Sequence, residues 1–219
     1  MWGPLSGSSS QVITSAVVVV HNPLNISINT ENLGGSSSAT KTFVLPAVGG
    51  PFDVTDWGDG SSDLAVSGGD AALTHVYAAT GTYTISINKI ANNFQPCKFN
   101  GGGDRLKILD IVQWGDITWD NLTAAFYNCS NLVITATDLP DMASAIDGME
   151  MFRGCTAITA FPAIDFSSMT NFRYAWYGCN GMTSFGVIDV SGTVSLEQVW
   201  INCTGLTSFS LIDTSSVTD

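Results

Sequence analysis

The chain is short of charge, and shortest of positive charge. Only 12 % of its 219 residues are Asp, Glu, Lys or Arg, about half the share usual in globular domains. Seven Lys and Arg stand against nineteen Asp and Glu, a formal charge of −12 at pH 7. A field of that sign repels phosphate backbones and anionic lipid, and no basic stretch interleaved with aromatics offsets it, so nucleic-acid binding is not expected. Long apolar runs are also missing. The longest, Ala16 to Val20, falls far short of the ~20 residues that cross a bilayer, so no membrane span is expected. The same run is too short for the apolar part of a signal peptide, and no Lys or Arg precedes Lys41 to charge its start. The expectation is a protein that passes no secretion channel, or one whose leader lies outside this sequence.

Several chemical motifs are absent too. The five Cys form no C-x-x-C pair, which argues against a zinc site; their odd number leaves at least one thiol free or bonded between chains. The three Glu (Glu31, Glu150, Glu197) are unpaired, so the two-carboxylate arrangement of glycoside hydrolysis has no candidates among them. His21 and His75 formally complete a Ser-His-Asp set, but no G-x-S-x-G elbow presents the serine. Gly101-Gly102-Gly103 lacks the Lys-Ser/Thr ending of a phosphate loop and reads as a hinge. Asn25, Asn121, Asn128 and Asn202 open N-x-S/T triplets, read as chance matches in a Ser/Thr-rich chain. The reading is non-enzymatic, with no cofactor. The single metal candidate is Ca²⁺ at the acidic turn Asp53, Asp56, Asp59 and Asp63, where oxygen ligands stand close together; turn-forming Asp explains the same residues without metal.

What is present is apolar and small. Hydrophobic residues make up 45 %, enough for a sizeable core, while Gly, Ser, Thr and Asn take the place of charge. Residues 1–36 read as an N-terminal arm. Ser6 to Ser10 is low-complexity, and Val12 to Ser27 is β-branched enough for one or two strands. Without a core of its own, such an arm is ordered by pairing with a partner, which makes it the expected attachment segment. Residues 37–90 read as a compact β domain. Strands are expected at Thr42–Leu45, Phe52–Trp57 and from Thr74. Along Gly81–Ile87 the chain alternates, with Tyr83, Ile85 and Ile87 on one face. Residues 91–104, with Pro96 and three glycines, read as a linker.

Three phrases in the β domain occur in order: Trp57-Gly58-Asp59-Gly60, then His75-Val76-Tyr77, then Gly81-Thr82-Tyr83-Thr84-Ile85. Over about 50 residues this resembles the PKD-type β-sandwich signature, with Ile85 where that pattern has Val. The resemblance implies an Ig-like sandwich in which the Asp-rich turn and the Tyr strand are structural, serving as an extracellular spacer or binding module.

Residues 105–219 repeat. Cys129, Cys155, Cys179 and Cys203 recur at steps of 26, 24 and 24. Three residues before each stands an aromatic (Phe126, Phe152, Trp176, Trp200), and three after it Leu132, Ile158, Met182 or Leu206. In the last three copies Phe161, Phe185 and Phe209 follow, then Ile-Asp at 164, 188 and 212; the first copy has Thr135 where the others have Phe. The period lies in the leucine-rich-repeat range, and such repeats must stack to bury their apolar faces. Each coil is expected to carry a short helical turn around the Cys and a strand ending in Phe. The cysteines should face inward as small apolar side chains, without disulfides. Met151–Cys155 and Asp213–Thr218 resemble phrases of BspA-like leucine-rich repeats. The expected fold is thus mainly β: an Ig-like (PKD-type) sandwich followed by a short leucine-rich-repeat solenoid.

That combination is similar to phage virion and tail-fibre proteins and to bacterial surface proteins. The resemblance implies a virion surface protein (fibre, tail or head-decoration component) with a host-contact or adhesion role, joined to other virion proteins through its arm. The alternatives are a bacterial cell-surface adhesin and an accessory binding domain of an enzyme. Tyr127, Tyr174 and Tyr177 lie one or two residues off the core register and are the candidate surface for a host receptor or glycan, with a structural role on the outer side as the competing reading. Leu206, Phe209 and Ile212 end the last coil. They are the candidate edge for a homo-oligomer or for continuation of the chain.

Overall fold

The computed structural model describes residues 21–90 and 94–218, and these form a mainly β fold of several small sheets. The N-terminal part holds β1 (Leu24–Asn29), β2 (Thr42–Val44), β3 (Val48–Gly49), β4 (Phe52–Asp56), β5 (Asp63–Val66), β6 (Thr74–Val76), β7 (Thr82–Lys89) and β8 (Phe94–Gln95). The repeats hold β9 (Ile108–Gln113), β10 (Val133–Ile134), β11 (Ala160–Phe161), β12 (Ser184–Phe185) and β13 (Ser208–Phe209). The largest sheet has six strands in the order β10-β9-β1-β7-β4-β5. It therefore crosses every boundary drawn from the sequence.

The first difference concerns the arm. β1 reads Leu-Asn-Ile-Ser-Ile-Asn and buries every second residue; Leu24, Ile26 and Ile28 are at most 1 % exposed. It pairs antiparallel with β7 on one side and with β9 on the other. A strand with partners on both edges is interior to the sheet, so residues 24–29 belong to the core. The remainder of the expected arm, residues 1–20, lies outside the described residues.

The second difference concerns the linker. Asp104 and Lys107 are fully buried side chains, 3.2 Å apart. Asp104 accepts from the Ser38 N–H, the Ser38 hydroxyl and the Val44 N–H at 2.7–2.8 Å. The Lys107 ammonium donates to the Ser38 and Thr42 carbonyls, the Ala39 carbonyl and the Ser38 hydroxyl, at 2.6–3.1 Å. A buried charge is tolerated only when paired and hydrogen-bonded, and this pair satisfies both conditions. Cys97 and Phe99 are buried, and the Phe99 and Asn100 amides donate to Ala125 and Ala124 of the first repeat. The segment that composition marks as a hinge is thus welded to both of its neighbours.

The repeats stack as coils in register. β11, β12 and β13 form a parallel sheet that places Phe161 beside Phe185 and Phe185 beside Phe209. The first copy joins the large sheet instead, β10 running parallel to β9. There Thr135 gives its N–H and hydroxyl to Asp110 (3.0 and 2.6 Å), which accounts for the missing Phe. On the wall bearing the cysteines no α-helix forms among the described residues. It is a run of turns, contrary to the helical turn expected. Alternate amides of each coil donate to the next: Ala124, Phe126 and Asn128 to the carbonyls of Met149, Met151 and Arg153, and Glu150, Phe152 and Gly154 to those of Arg173, Ala175 and Tyr177. The intervening amides close turns within the coil, such as Tyr127 to Ala124 and Cys129 to Phe126. Two residues per coil have positive φ: Ala124, Glu150, Tyr174 and Gln198 five before each Cys, and Asn128, Gly154, Gly178 and Asn202 one before it. Left-handed residues at that spacing break an i→i−4 ladder and turn the freed amides toward the neighbouring coil.

Inside, two aromatic columns interlock. Phe126, Phe152, Trp176 and Trp200 stack face to face within 11° of parallel. Phe161, Phe185 and Phe209 stack within 8°. Between the columns the contacts are edge-on, as for Trp176 with Phe185 (4.9 Å, 84°), an arrangement the ring quadrupoles favour.

Candidate functional site

The Asp-rich turn is built around Trp57, which is fully buried. Its indole N–H donates to Asp63 at 2.8 Å, and the Tyr77 hydroxyl donates to its carbonyl at 2.9 Å. His75 lies flat on it (4.8 Å, 5°) and edge-on to Tyr77, which stacks on Tyr83 at 3.8 Å. Gly58 has φ 88°, and a Cβ there would come within 2.8 Å of the Thr84 backbone, so only glycine lets the turn lie on β7. The signature residues Trp57, Gly58, Asp59, Gly60, His75, Tyr77 and Tyr83 thus converge in one place and hold it together.

The four carboxylates of the Ca²⁺ candidate do not converge. Asp53 accepts from the Ala65 N–H, Asp56 from those of Gly58 and Gly60, Asp59 from Ser61, and Asp63 from Trp57. Among the described residues no group of three or more His, Cys, Asp or Glu side chains is placed to hold a metal ion. Asp59 also meets His75 Nε2 at 2.8 Å. The Ser61 hydroxyl first, then His75, bring its pKa down to about 2. Ser61 approaches the same Nε2 at 3.5 Å. A nucleophile–base relay places serine and carboxylate on opposite ring nitrogens; here both face one.

The tyrosine candidates come together around a residue that sequence reasoning passed over. Arg153 places its guanidinium 5.0 Å from the ring centres of Tyr127 and Tyr177 and 5.5 Å from that of Tyr174. Tyr127, Arg153 and Tyr177 each stand two residues before a repeat Cys, so they form one column across three coils. The register held the signal: the same position in successive copies reads Tyr, Arg, Tyr. Arg153 is further paired with Glu150, and Arg173 with both Tyr174 and Glu197. Gly101 also packs on Tyr127: a Cβ there would sit 3.0 Å from the ring. The Tyr174 hydroxyl accepts from Arg173 and the Tyr177 hydroxyl from Asn202, at 3.2 and 3.0 Å, so the tyrosines are tied into the stack by their hydroxyls as well as their rings.

All four repeat cysteines, and Cys97, are free and buried. The thiols of Cys155, Cys179 and Cys203 donate to the carbonyls of Phe126, Phe152 and Trp176 in the preceding coil, each at 3.0 Å. Burial pushes the thiol pKa up, to about 12 for Cys97 and Cys179. A thiol held protonated at neutral pH is a poor nucleophile. At the last coil Phe209 is 47 % exposed, against 2 % for Phe185, while Leu206 and Ile212 are half-buried.

The described residues contain no helix long and apolar enough to cross a membrane. Compared with protein-family models, curated proteins and solved structures, the chain matches none.

Proposed function

We propose that the chain is a non-enzymatic surface protein of a virion, a fibre, tail or head-decoration component, in which a PKD-type sandwich is fused to a BspA-like leucine-rich-repeat solenoid. The observation that carries this reading is the shared six-stranded sheet together with the buried Asp104–Lys107 pair, which lock the two halves into one body. A protein that holds a receptor-contacting surface away from a particle needs such rigidity; two domains on a glycine hinge would not supply it. The polar signature residues are spent on internal hydrogen bonds, which suits a scaffold. Phe209 is 47 % exposed, and this face is one that another copy of the chain, or further polypeptide continuing the stack, would cover.

Mass spectrometry of purified particles tests the reading. Peptides of this chain are expected in virions at structural-protein abundance. Recovery only from a bacterial envelope fraction would support the adhesin instead, and co-purification with a catalytic polypeptide would support the accessory domain. Light scattering tests the oligomer: a mass above 23.1 kDa is expected, falling to that of one chain in Phe209→Ser.

A further inference from the structure

One wall of the coil stack carries two outward columns side by side. Leu139, Ala163, Val187 and Leu211 recur every 24 residues and are all exposed, Leu139 and Val187 by 60 % and 63 %. Two residues on, Asp141, Asp165, Asp189 and Asp213 recur in the same register, also exposed. Of the residues between them, Pro140, Ile164 and Ile188 are buried, the two isoleucines at most 3 % exposed, and Ile212 is half-buried, so each aliphatic shares an outward face with its Asp. The columns are continuous across coils. Asp141 and Asp165 line one shallow depression, Asp165 pairs with Asp189 in a parallel bridge, and Val187, Asp189, Leu211 and Asp213 line a second depression.

Each carboxylate is fixed. One oxygen accepts the N–H two residues later: Ala143 for Asp141, Ser167 for Asp165, Ser191 for Asp189, Ser215 for Asp213. That backbone N–H, then the serine hydroxyl, hold Asp165 and Asp213 below the usual carboxylate range, so they are ionised at neutral pH. Parallel rungs lie about 4.8 Å apart, and like charges at neighbouring positions oppose each other. The cations that form ion pairs among the described residues go elsewhere: His75 to Asp59, Lys107 to Asp104, Arg153 to Glu150, Arg173 to Glu197. The wall thus keeps a repulsive acidic row beside an aliphatic row, with no ion pair to it among the described residues.

We infer that this wall is a docking surface for a basic, amphipathic polypeptide segment that lies along the stack with its aliphatic side chains on the Leu139–Leu211 column and its Lys or Arg side chains on the Asp141–Asp213 column. Charge selects the occupant. A second copy docking here would set its own acidic row against this one, and nucleic acid and anionic lipid would bring like charge to it as well. The inference rests on the wall alone and does not depend on which particle or surface carries the protein.

The test measures binding of fluorescein-labelled decapeptides to the full-length chain by fluorescence anisotropy. The probes are alternating Lys-Val, alternating Lys-Ser and alternating Glu-Val. Lys-Val is expected to bind, at least about tenfold tighter than Lys-Ser, with no binding by Glu-Val. Two double variants, V187S/L211S and D165N/D189N, are each expected to weaken Lys-Val binding by about tenfold or more. The Asn variants keep the acceptor that closes each turn, and unchanged thermal melting confirms their fold, so loss of binding there is not loss of structure. Equal binding of Lys-Val and Lys-Ser, with V187S/L211S unchanged, would reduce the effect to diffuse attraction by net charge and overturn the inference. So would an absence of Lys-Val binding, or sedimentation showing a dimer that V187S/L211S dissolves.

Discussion

The N-terminal sheets and the coil stack share one continuous apolar core and hold it together by opposite means. Around β1 to β7 each decisive contact occurs once and joins distant residues: Trp57 to His75, Lys107 to the loop at Ser38–Thr42. In the stack each contact recurs one coil later, as when Cys155, Cys179 and Cys203 all donate to the carbonyl of the preceding aromatic. Unique contacts make one cooperative unit, in which a single loss is felt throughout. Repeated contacts make a nearest-neighbour array, in which a loss is felt chiefly by adjoining rungs. The two regimes meet at β9, which pairs with β1 on one side and with the first repeat strand on the other.

The largest effect tests that meeting point. Deleting residues 1–36 removes β1 from between β7 and β9, so the large sheet is expected to lose its middle and the protein its cooperative thermal transition, seen by circular dichroism. A truncation ending at residue 20 keeps β1 and is expected to keep the transition. An unchanged melt after removal of 1–36 would mean that the two halves are independent after all.

Next comes the weld. Lys107→Met leaves Asp104 buried without its cation and is expected to cost about 3–5 kcal/mol, measured by urea unfolding. Replacing both partners, Lys107→Met with Asp104→Leu, should be milder than the single change, because no charge is then left stranded. The same comparison in the stack has no counterpart, since among the described residues its ion pairs, Arg153–Glu150 and Arg173–Glu197, are partly exposed.

How far these features could be read in advance follows the same division. Repetition is visible in a sequence, so the 24-residue register, the inward Cys positions and the Phe column were legible. Unique pairing is much less so. The alternation of Leu24–Asn29 announces a strand, but nothing local says that its partners lie at 82–87 and 108–113. Asp104, beside three glycines, looks like the end of a solvated linker, and Lys107 like a residue of the repeat unit, until Ser38, Thr42 and Val44 close around both. The turn-built wall was hidden for another reason. Half of its left-handed positions, Asn128, Gly154, Gly178 and Asn202, carry residues that favour that conformation, but the other half fall on Ala124, Glu150, Tyr174 and Gln198, which do not and are held there by the inter-coil hydrogen bonds. Of the candidate surfaces, the tyrosines could be found by register, but Arg153 became meaningful only once the copies were stacked.

Effects inside the array should be smaller and local. Cys179→Ala removes one thiol hydrogen bond and a small volume, for an expected cost of about 1 kcal/mol. Thiol labelling of the native protein at neutral pH sharpens the point. Cys97, Cys155 and Cys179, buried and protonated, should resist reagent, while Cys203, 9 % exposed on the last rung, reacts first. Simultaneous labelling of all five would indicate global opening and contradict an array that frays from one end.

Smaller still is the outer column. Arg153→Met keeps a stem that can lie between Tyr127 and Tyr177 but loses the guanidinium above three rings. About 0.5–1 kcal/mol is expected for such a half-exposed cation–π site. A double-mutant cycle with Tyr177→Leu separates this contribution from packing, and a coupling indistinguishable from zero would leave the column with packing alone.

The smallest effect contrasts the two regions through their carboxylates. Asp59 is held at about pKa 2 chiefly by the Ser61 hydroxyl, with His75 a lesser cause; Asp165 is held low by the Ser167 N–H and hydroxyl, with no cation near it among its causes. Since the folded-state pKa of Asp59 lies below its ordinary 3.8, its contribution to stability is present above that value and is lost as pH falls through about 2. The urea midpoint of Asp59→Asn should therefore lie below that of the parent from neutral pH down to about 4, and the gap should close by pH 2. Carboxyl titration by NMR apportions the causes: Ser61→Ala should raise the Asp59 pKa more than His75→Phe does. The reverse order would make the stacked histidine the principal partner of Asp59, and its carboxylate would then be held by a residue 16 positions away, where Asp165 is held by the residue two positions on.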